Sequence, residues 1–542
     1  MKGTRQVKEM QADVLVVGGG LGGVAAALAA LRQGRSVIMS EEFDWIGGQL
    51  TSQAVPPDEH SWVEQFGISA SYRALRDGIR EYYRRHYPLT ERSRNWRDLN
   101  PGAGWVSRLC HEPRVALAVI EAMLAPYRGA GRLAVLQPYR PAGAEVDGDR
   151  VRAVRLCHRQ GDSEIVAAAA YVIDATETGD LLPMTGTEYV TGFEAQRETG
   201  EPSAPPQAQP LNMQAVSICF AIDHVDGDHT IDKPPNYEIW RKYQPEFWGG
   251  PLLSWFSPHP RTLEIVERSF TPNPDDDPLL VNADQRLNPG DSNLWTFRRI
   301  AARRNFVDGV YASDICLVNW PMIDYFEGPI LDVPDEEARR HLQGAAELSR
   351  CAFYWLQTEA PRLDGSAGFP GLRLRGDVTG TEHGLAQAPY IRESRRIKAL
   401  YTVVEQDLSL AVRGERGAVN YPDSVGAGMY RIDLHPSTGG DNYIDVGSCP
   451  FEIPLGALLP RRMTNLLPAG KNIGTTHITN GCYRLHPVEW NVGEVAGLLA
   501  AHCLDRGLSP HGVRETPERL SEFQAHLARE GIEIRWPEVK GY

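Results

Sequence analysis

The chain has 542 residues, enough for roughly two to four domains and for a core able to enclose a cofactor. Apolar residues make up 42% and charged residues 23%, near globular averages, which excludes a disordered or fibrous chain. The 56 basic and 70 acidic side chains give a net charge of −14, which speaks against nucleic acid as a partner because phosphate binding asks for a basic surface.

The N-terminal stretch Met1–Asp13 is polar and holds no apolar signal core. Val14–Leu31 is an unbroken run of apolar residues and glycine, long enough by count for a membrane span. Glycines at 18, 19, 20, 22 and 23 interrupt it, so it reads as a buried strand, a tight turn and a buried helix. Asp13–Val17 is that strand, Val24–Leu31 the helix and Ser36–Met39 a second buried strand, a β-α-β unit at the start of the chain. Tyr72–Tyr83 and Arg114–Tyr127 carry apolar residues at helical spacing. Leu133–Leu136, Ala144–Val146 and Val151–Cys157 alternate like strands of a small antiparallel sheet, with a hairpin turn at Asp147-Gly148-Asp149. Tyr171–Ala175 reads as another buried strand.

Glu194–Pro210 is rich in Pro, Glu, Gln and Ser, as in a linker. From there to about residue 330 the chain is crowded with aromatics such as Trp240, Trp248, Trp255, Trp295 and Trp320, which either line an apolar substrate pocket or fill a core. Arg339–Glu359 returns to a helical pattern, and Arg392–Asp407 reads as a helix running into a strand. Leu466–Ala469 is a short apolar run, Val488–Leu504 a helix of small residues, and 505–542 a polar helical tail. None of the eight cysteines forms a C-x-x-C pair, so zinc, iron–sulfur and thioredoxin readings lose their usual signal. Buried thiols in a reducing, cytoplasmic setting are expected, with no metal site, no nucleic acid and no membrane.

Gly18-x-Gly20-x-x-Gly23 follows the first strand and opens the alanine-rich helix. Gly18 makes the tight turn, Gly20 lets backbone approach a pyrophosphate, and Gly23 lets helix and strand pack closely. The helix N-terminus offers free N–H groups and a positive dipole end to a diphosphate. Glu41, at the end of the second strand, can accept hydrogen bonds from ribose hydroxyls. Strand, helix, second strand and acid together predict dinucleotide binding.

Four separated segments resemble the FAD-dependent oxidoreductases of the glutathione-reductase-like superfamily. More closely, they resemble the bacterial FAD-dependent oxidoreductase family related to the fumarate reductase and succinate dehydrogenase flavoproteins. They are the fingerprint with Glu41; Ile46-Gly-Gly-Gln-Leu-Thr51; Val172-Ile-Asp-Ala-Thr-Glu-Thr-Gly-Asp180; and Asn465–Gly470 through Asn491-Val-Gly493 with its helix. The resemblance implies FAD as cofactor. It implies contacts at Gly18, Gly20, Leu21, Gly22, Gly23, Glu41 and Glu42, then at Gly47, Gly48, Gln49 and Thr51. Further contacts are implied at Ala175, Thr176, Gly179, Asp180, Gly470, Val492 and Gly493. The N–H groups of Val492, Gly493 and Glu494 are expected to face the pyrimidine end of the flavin. No second glycine fingerprint follows a strand, which disfavours a built-in NAD(P)H domain, and the C-x-x-x-x-C pair of disulfide reductases is missing.

His477, Arg484 and His486 fall between the last family-like strand and the helix after it. Arg484 could hold a substrate carboxylate or stabilise reduced flavin, and His477 or His486 could act as a base; simple hydrogen bonding to backbone is the alternative for each. Arg392, with Glu393, Arg395 and Arg396, is either part of a solvated surface helix or an anion clamp, and Tyr390 either packs or donates a proton. His111, His383 and His435 read as packing or loop residues.

The expected fold is α/β: a Rossmann-like FAD/NAD(P)-binding domain, three-layered with a parallel sheet, and an inserted mixed α+β substrate domain. The expected boundaries are 12–190 and 450–505 for the FAD-binding domain, 191–449 for the substrate or cap domain, and 506–542 for the tail. The expected activity is oxidation or dehydrogenation of a small or medium organic substrate, with dioxygen or an external carrier as electron acceptor. A flavin monooxygenase using NAD(P)H, a reductase running in reverse and a non-catalytic FAD-binding protein stay open. The oligomeric state is left open by the sequence.

Overall fold

A computed structural model of the chain describes residues 7–161, 163–280, 293–539 and 541. Six residues of the polar N-terminal stretch, Met1–Gln6, and two of the tail, Lys540 and Tyr542, lie outside the described residues. The chain opens with strand β1 (Val7–Val17), helix α1 (Leu21–Arg32) and strand β2 (Val37–Ser40). Helices α2 (Ala70–His86) and α3 (Pro113–Gly129) follow, then strands β3 (Leu133–Leu136), β4 (Tyr139–Asp147), β5 (Arg150–His158) and β6 (Glu164–Asp174). The middle of the chain adds β7 (Phe220–His224), β8 (Arg299–Ala301), β9 (Ile315–Val318), helix α4 (Asp335–Thr358) and β10 (Leu372–Leu374). Strand β11 (Leu466–Pro468) and helices α5 (His477–Tyr483), α6 (His486–Arg506) and α7 (Pro517–Arg529) complete it.

The main sheet runs β3-β2-β1-β6-β5-β4, with β11 pairing β6. The pairs β1/β2, β2/β3, β1/β6 and β6/β11 are parallel, in register Val17↔Ser40, Val17↔Asp174 and Leu467↔Ile173. Alternation along β1 builds two faces from one run of residues. Val14 and Val16 join a core with α1 and α6, whereas Leu15 and Val17 join one with Val151, Val154 and Leu156 of β5. The result is three layers: helices on one side of the parallel strands and, over the other, the β5–β4 hairpin, which continues the sheet antiparallel from β6. A four-stranded antiparallel sheet, β8-β9-β7-β10, forms elsewhere, backed by α4. Its core collects Trp240, Trp248, Trp255, Trp295 and Trp320, so these tryptophans fill space.

Three local expectations are corrected. Leu133–Leu136 does not join an antiparallel sheet; it is the parallel edge of the main one, beside β2, because a crossover through α2 and α3 returns the chain in the same direction. The stretch 392–407 is not a helix running into a strand. Just after a two-residue strand at Tyr390–Ile391, it holds another at Arg396–Ile397 and the start of a short helix at Glu405–Leu408, because its charged side chains are paired inside the protein instead of facing water. The tail is helical only in part: helices Pro510–Glu515 and α7 give way to an irregular segment from Glu530.

Helices α1 and α6 touch backbone to backbone. A Cβ on Gly493 would sit 2.0 Å from the Gly22 carbonyl oxygen, one on Gly497 2.2 Å from that of Ala26, and one on Gly22 1.7 Å from that of Ala469. No side chain fits there. Gly493→Ala is expected to destabilise the protein by about 1–3 kcal/mol through overpacking and to lower the unfolding midpoint. Gly129→Ala, at a helical position with nothing within 4 Å of the added carbon, is expected to leave the midpoint unchanged or raised. Equal thermal melts for Gly493→Ala and the natural chain would show that the two helices can separate without cost.

Candidate functional site

The end of β1, the end of β6 and the start of α1 meet around the glycine fingerprint. Gly18 takes φ +101°, and a Cβ there would lie 2.3 Å from the Ala175 oxygen, so strand and turn can approach only through glycine. Gly23 packs as closely, with a Cβ position 2.0 Å from the Gly18 oxygen. The first bond inside α1 runs from Val24 N to the Gly20 oxygen (2.9 Å), which leaves the N–H groups of Leu21, Gly22 and Gly23 without helical partners. Glu41 is buried beside them. Its carboxylate accepts hydrogen bonds from Gly19 N and Phe43 N, both at 2.9 Å, and burial pushes its carboxyl up to about 8 despite those donors. Glu42, half-buried, is also raised by burial, with Asp180 adding to the shift.

The second glycine pair closes on the first. Gly47 N donates to the Gly19 oxygen (2.7 Å), and the Thr51 hydroxyl donates to the Ile46 oxygen (2.6 Å), tying the turn to itself. Gly48 takes φ +50° and faces Gly20, with its Cβ position 2.9 Å from the Gly20 Cα. The third segment is an independent turn. Asp174, fully buried, accepts from Thr176 N, Thr176 Oγ1 and Leu181 N, while Asp180 N donates to Thr176 Oγ1 (2.7 Å). Gly179 gives φ +64° there, against the Arg395 backbone. Glu177, from the same turn, pairs with Lys471, which follows Gly470. Glu489 of α6 accepts from Gly22 N (3.3 Å) and pairs with the Gln49 amide, whose Nε2 also donates to the Arg484 oxygen (3.1 Å).

A second buried polar group lies next to this cradle. Arg484 donates to the Tyr390 hydroxyl (3.1 Å) and to the Asp433 carbonyl (3.0 Å). The Arg392 guanidinium lies 4.8 Å from the Tyr390 ring centre and pairs with Asp324 at 3.1 Å. Asp324 also receives His435 Nδ1 at 2.6 Å and the Ser217 hydroxyl at 2.6 Å. Burial alone would raise the Asp324 carboxyl, but Arg392 and His435 outweigh it and hold it at about 2. The Asp433 carboxyl is held well below the usual range against the same burial, by His435 and then by Arg484 and Arg392. Tyr390 is pushed up by burial more than Arg484 lowers it, so it stays a phenol. Asp58 N donates to His486 Nδ1 (3.0 Å), and Arg298 approaches the Asp58 carboxylate at 3.5 Å without closing a hydrogen bond. Arg298 Nε and Nη1, Asp58 Oδ1, His486 Nε2, His111 Nε2 and both ends of the Gln53 amide are buried without hydrogen-bond partners among the described residues.

These placements sort the expected residues. Tyr390, Arg392 and Arg484 come together, and His486 lies beside them. His486 does not fit the role of base, because its Nδ1 lone pair takes the Asp58 N–H and burial drives the imidazole well below its usual value. It is a neutral ring with its proton on Nε2. His477 stands elsewhere. Its ring lies on Phe193, with centres 3.6 Å apart, and its Nδ1 is 2.9 Å from Glu393 in a buried network with Arg396 and Glu194. That network replaces the solvated helix foreseen for residues 392–396, since Arg392, Glu393 and Arg396 are all buried. Val492 and Gly493 lie in the second turn of α6, where their N–H groups bond inside the helix; the flavin-facing role expected of them is corrected to helix packing for Gly493.

Asp58, Arg298, Gln53, Glu489 and Lys471 carried no sequence signal of a site. Arg298 follows a short helix in the aromatic stretch, and only the fold brings it to Asp58. The loop bearing Asp58 is itself held by the tail: Gly67 N donates to Glu533 (2.9 Å), and Trp536 packs on His60, Trp62, Phe66 and Gly67. Among the described residues no group of three His, Cys, Asp or Glu side chains could hold a metal ion, and all eight cysteines are free. No helix among them is long and apolar enough to cross a membrane.

Glu41→Gln is expected to weaken dinucleotide binding up to about tenfold, the size of one hydrogen bond. Titration of the flavin-free chain with FAD, followed by fluorescence quenching, reads this directly. An unchanged affinity would remove Glu41 from the ribose contact.

Solved structures to which the chain is similar include OxyS anhydrotetracycline hydroxylase from Streptomyces rimosus, with 12% identity over 96% of this chain and 66% of that one (TM-score 0.31). A geranylgeranyl bacteriochlorophyll reductase-like protein from Thermoplasma acidophilum gives 12% identity over 96% and 84% (TM-score 0.32). L-proline dehydrogenase from P. horikoshii gives 16% identity over 36% of this chain, which spans 27% of the dehydrogenase (TM-score 0.17). The family model described as FAD dependent oxidoreductase matches residues 13–527. The N–H groups of Leu21 and Gly23, which have no partner inside α1, the close backbone turns at Gly18–Gly20 and Gly47–Gly48 and the buried Glu41 fit a dinucleotide with a ribose at the end of β2. With nearly its whole length matched, the chain belongs to the FAD dependent oxidoreductase family, and its cofactor is FAD.

Proposed function

We propose that this enzyme oxidises a small or medium organic substrate carrying an anionic group, and that the group is held by Arg298 with Arg484 beside it. The observation that carries the reading is the Arg298–Asp58 pair. Their side chains are only 12% and 4% exposed, 3.5 Å apart, and Arg298 Nε and Nη1 and Asp58 Oδ1 have no hydrogen-bond partners. A buried guanidinium left with free N–H groups is costly, and a carboxylate or similar anion would satisfy it in a bidentate fork. FAD, held by the glycine turns and Glu41, would supply a hydride acceptor for the substrate, with dioxygen or an external carrier as the final acceptor.

The chain's own groups divide the remaining tasks. Asp58 Oδ1 is placed to accept a substrate proton while Arg298 holds the neighbouring anion. The Tyr390 oxygen takes an N–H from Arg484, which leaves its own proton free to donate to a substrate oxygen. The neutral His486 ring adds a donor at Nε2. Asp324, Asp433 and His435 hold Arg392 and Arg484 in place behind these groups. We assign the FAD-binding part to 12–190 and 450–505 and the substrate cap to 191–449. The fingerprint, Glu41 and this split arrangement support kinship with the glutathione-reductase-like flavoproteins.

The test is a screen of carboxylate-bearing compounds for anaerobic bleaching of the bound flavin, followed by variants. Arg298→Lys is expected to raise KM about 10–100-fold with FAD content unchanged, since a point charge replaces a planar fork. Asp58→Asn is expected to lower kcat about 100-fold or more, the usual worth of a positioned base. If neutral compounds bleach the flavin as well as anionic ones and Arg298→Lys leaves KM alone, the anion reading fails. If Asp58→Asn turns over normally, the base lies elsewhere.

A further inference from the structure

The cradle between the two glycine turns holds more acid than a diphosphate site should tolerate. Glu177 Oε1 lies 3.1 and 3.2 Å from the points where side chains on Gly20 and Gly48 would begin. Glu489 Oε1 lies 3.9 and 3.8 Å from the corresponding points on Gly20 and Gly470. The same Glu489 oxygen accepts the N–H of Gly22, one of the free donors of α1. The carboxylate therefore stands on the helix N-terminus that a phosphate oxygen would seek. Lys471 is the cation between the two acids. It pairs with Glu177 and also feels Glu489 and, farther off, Tyr390.

The diphosphate of FAD brings about two further negative charges into this space. One lysine against two carboxylates and a diphosphate is not a stable buried arrangement, because unpaired charge held away from water is strongly unfavourable. Glu177 has a way out. Its side chain is 21% exposed and sits on a surface turn, so it can swing toward water and release Lys471 to the phosphates. Glu489 has none. It is 4% exposed and sits in the first turn of a helix that is buried over nearly its whole length. What remains open to it is to become neutral.

We propose that FAD binding to this chain takes up one proton, held on Glu489, while Lys471 transfers its pairing from Glu177 to the cofactor's phosphates. Glu489 is then a positioning residue for the cofactor: as a neutral acid it keeps its bonds to Gly22 and Gln49 without repelling the diphosphate. The groups that face it are Gly22 N from α1, Gln49 from the second glycine turn, Glu177 from the turn after β6 and Lys471 from the loop after β11. Burial and Glu177 favour its neutral form, and Lys471 opposes them. The sign follows. Where Glu489 is already protonated in the flavin-free chain, affinity does not depend on pH. Above that range FAD must bring a proton with it, and the dissociation constant rises tenfold per pH unit for one proton. The inference rests on FAD as cofactor and is independent of the anionic-substrate reading.

The experiment titrates FAD into the flavin-free full-length chain from about pH 6 to pH 9, with calorimetry in two buffers of different ionisation heat to count protons. The natural chain is expected to lose affinity as pH rises and to take up close to one proton on binding at the upper end of that range, and little at its lower end. Glu489→Gln keeps an acceptor for Gly22 and cannot ionise, so it is expected to bind FAD with an affinity nearly flat in pH and with little proton uptake. Glu177→Gln serves as a second variant, expected to bind more tightly while keeping a pH slope. A flat profile with no proton uptake in the natural chain overturns the proposal. So does a slope that survives intact in Glu489→Gln, which would place the proton on another buried acid such as Glu41.

Discussion

The contact between α1 and α6 sets where nearly everything else stands. Gly22 and Gly493 allow the two helix backbones to meet, and Gly497 continues the contact against Ala26. Because α6 starts at His486, its first turn is carried to the start of α1, and Glu489 reaches the Gly22 N–H. The residues just before α6, Arg484 among them, are brought over the second glycine turn, where the Arg484 carbonyl meets the Gln49 amide. A chain segment more than 430 positions away thus becomes one wall of the cradle formed by the glycine turns. The glycines cost helix propensity, and the close packing they permit more than offsets it.

Around that contact the protein buries an unusual number of charges, and their pairing explains the shape of the site. Arg392 and Asp324, Arg396 and Glu194, and Arg299 and Asp314 are matched ion pairs with little exposure. Such pairs contribute little net stability, but breaking one leaves an uncompensated charge inside. They fix side chains in single positions, which a site for redox chemistry needs. Beside these pairs stand buried polar atoms without a hydrogen-bond partner among the described residues. Arg298, Asp58, Gln53 and His486 keep polar atoms free in the same region, which is what a ligand site looks like when the protein alone is considered.

The tail and the antiparallel sheet serve the same end from outside. Trp536 and Glu533 clamp the loop that carries Asp58, and the tryptophan-rich core under β7–β10 supports Arg298 and Asp324 from the other side. The aromatic stretch is therefore framework, and the charged residues Arg298 and Asp324 emerge at its edge.

Local signals determined the dinucleotide half of the molecule. A β-branched strand, glycines at fixed offsets, an alanine-rich helix and an acid after the next strand each act over a few residues, so the sequence carries them openly. The hairpin at Asp147–Asp149 and the helices of 70–129 were legible for the same reason. The parallel placement of Leu133–Leu136 was not, since alternation describes a strand and says nothing of its neighbour. Nor was the burial of Arg392, Glu393 and Arg396, which read as a solvated run because charge alone does not reveal whether a partner waits inside. His477 and His486 looked equivalent in sequence, yet one lies against Phe193 and the Glu393 carboxylate in a side network and the other has its lone pair occupied by a backbone N–H from residue 58. Pairing of Arg298 with Asp58, and of Glu489 with Gly22, joins residues hundreds of positions apart. Only tertiary structure decides such contacts, because the energy that selects them comes from excluding water around groups that the chain, read in order, never places side by side.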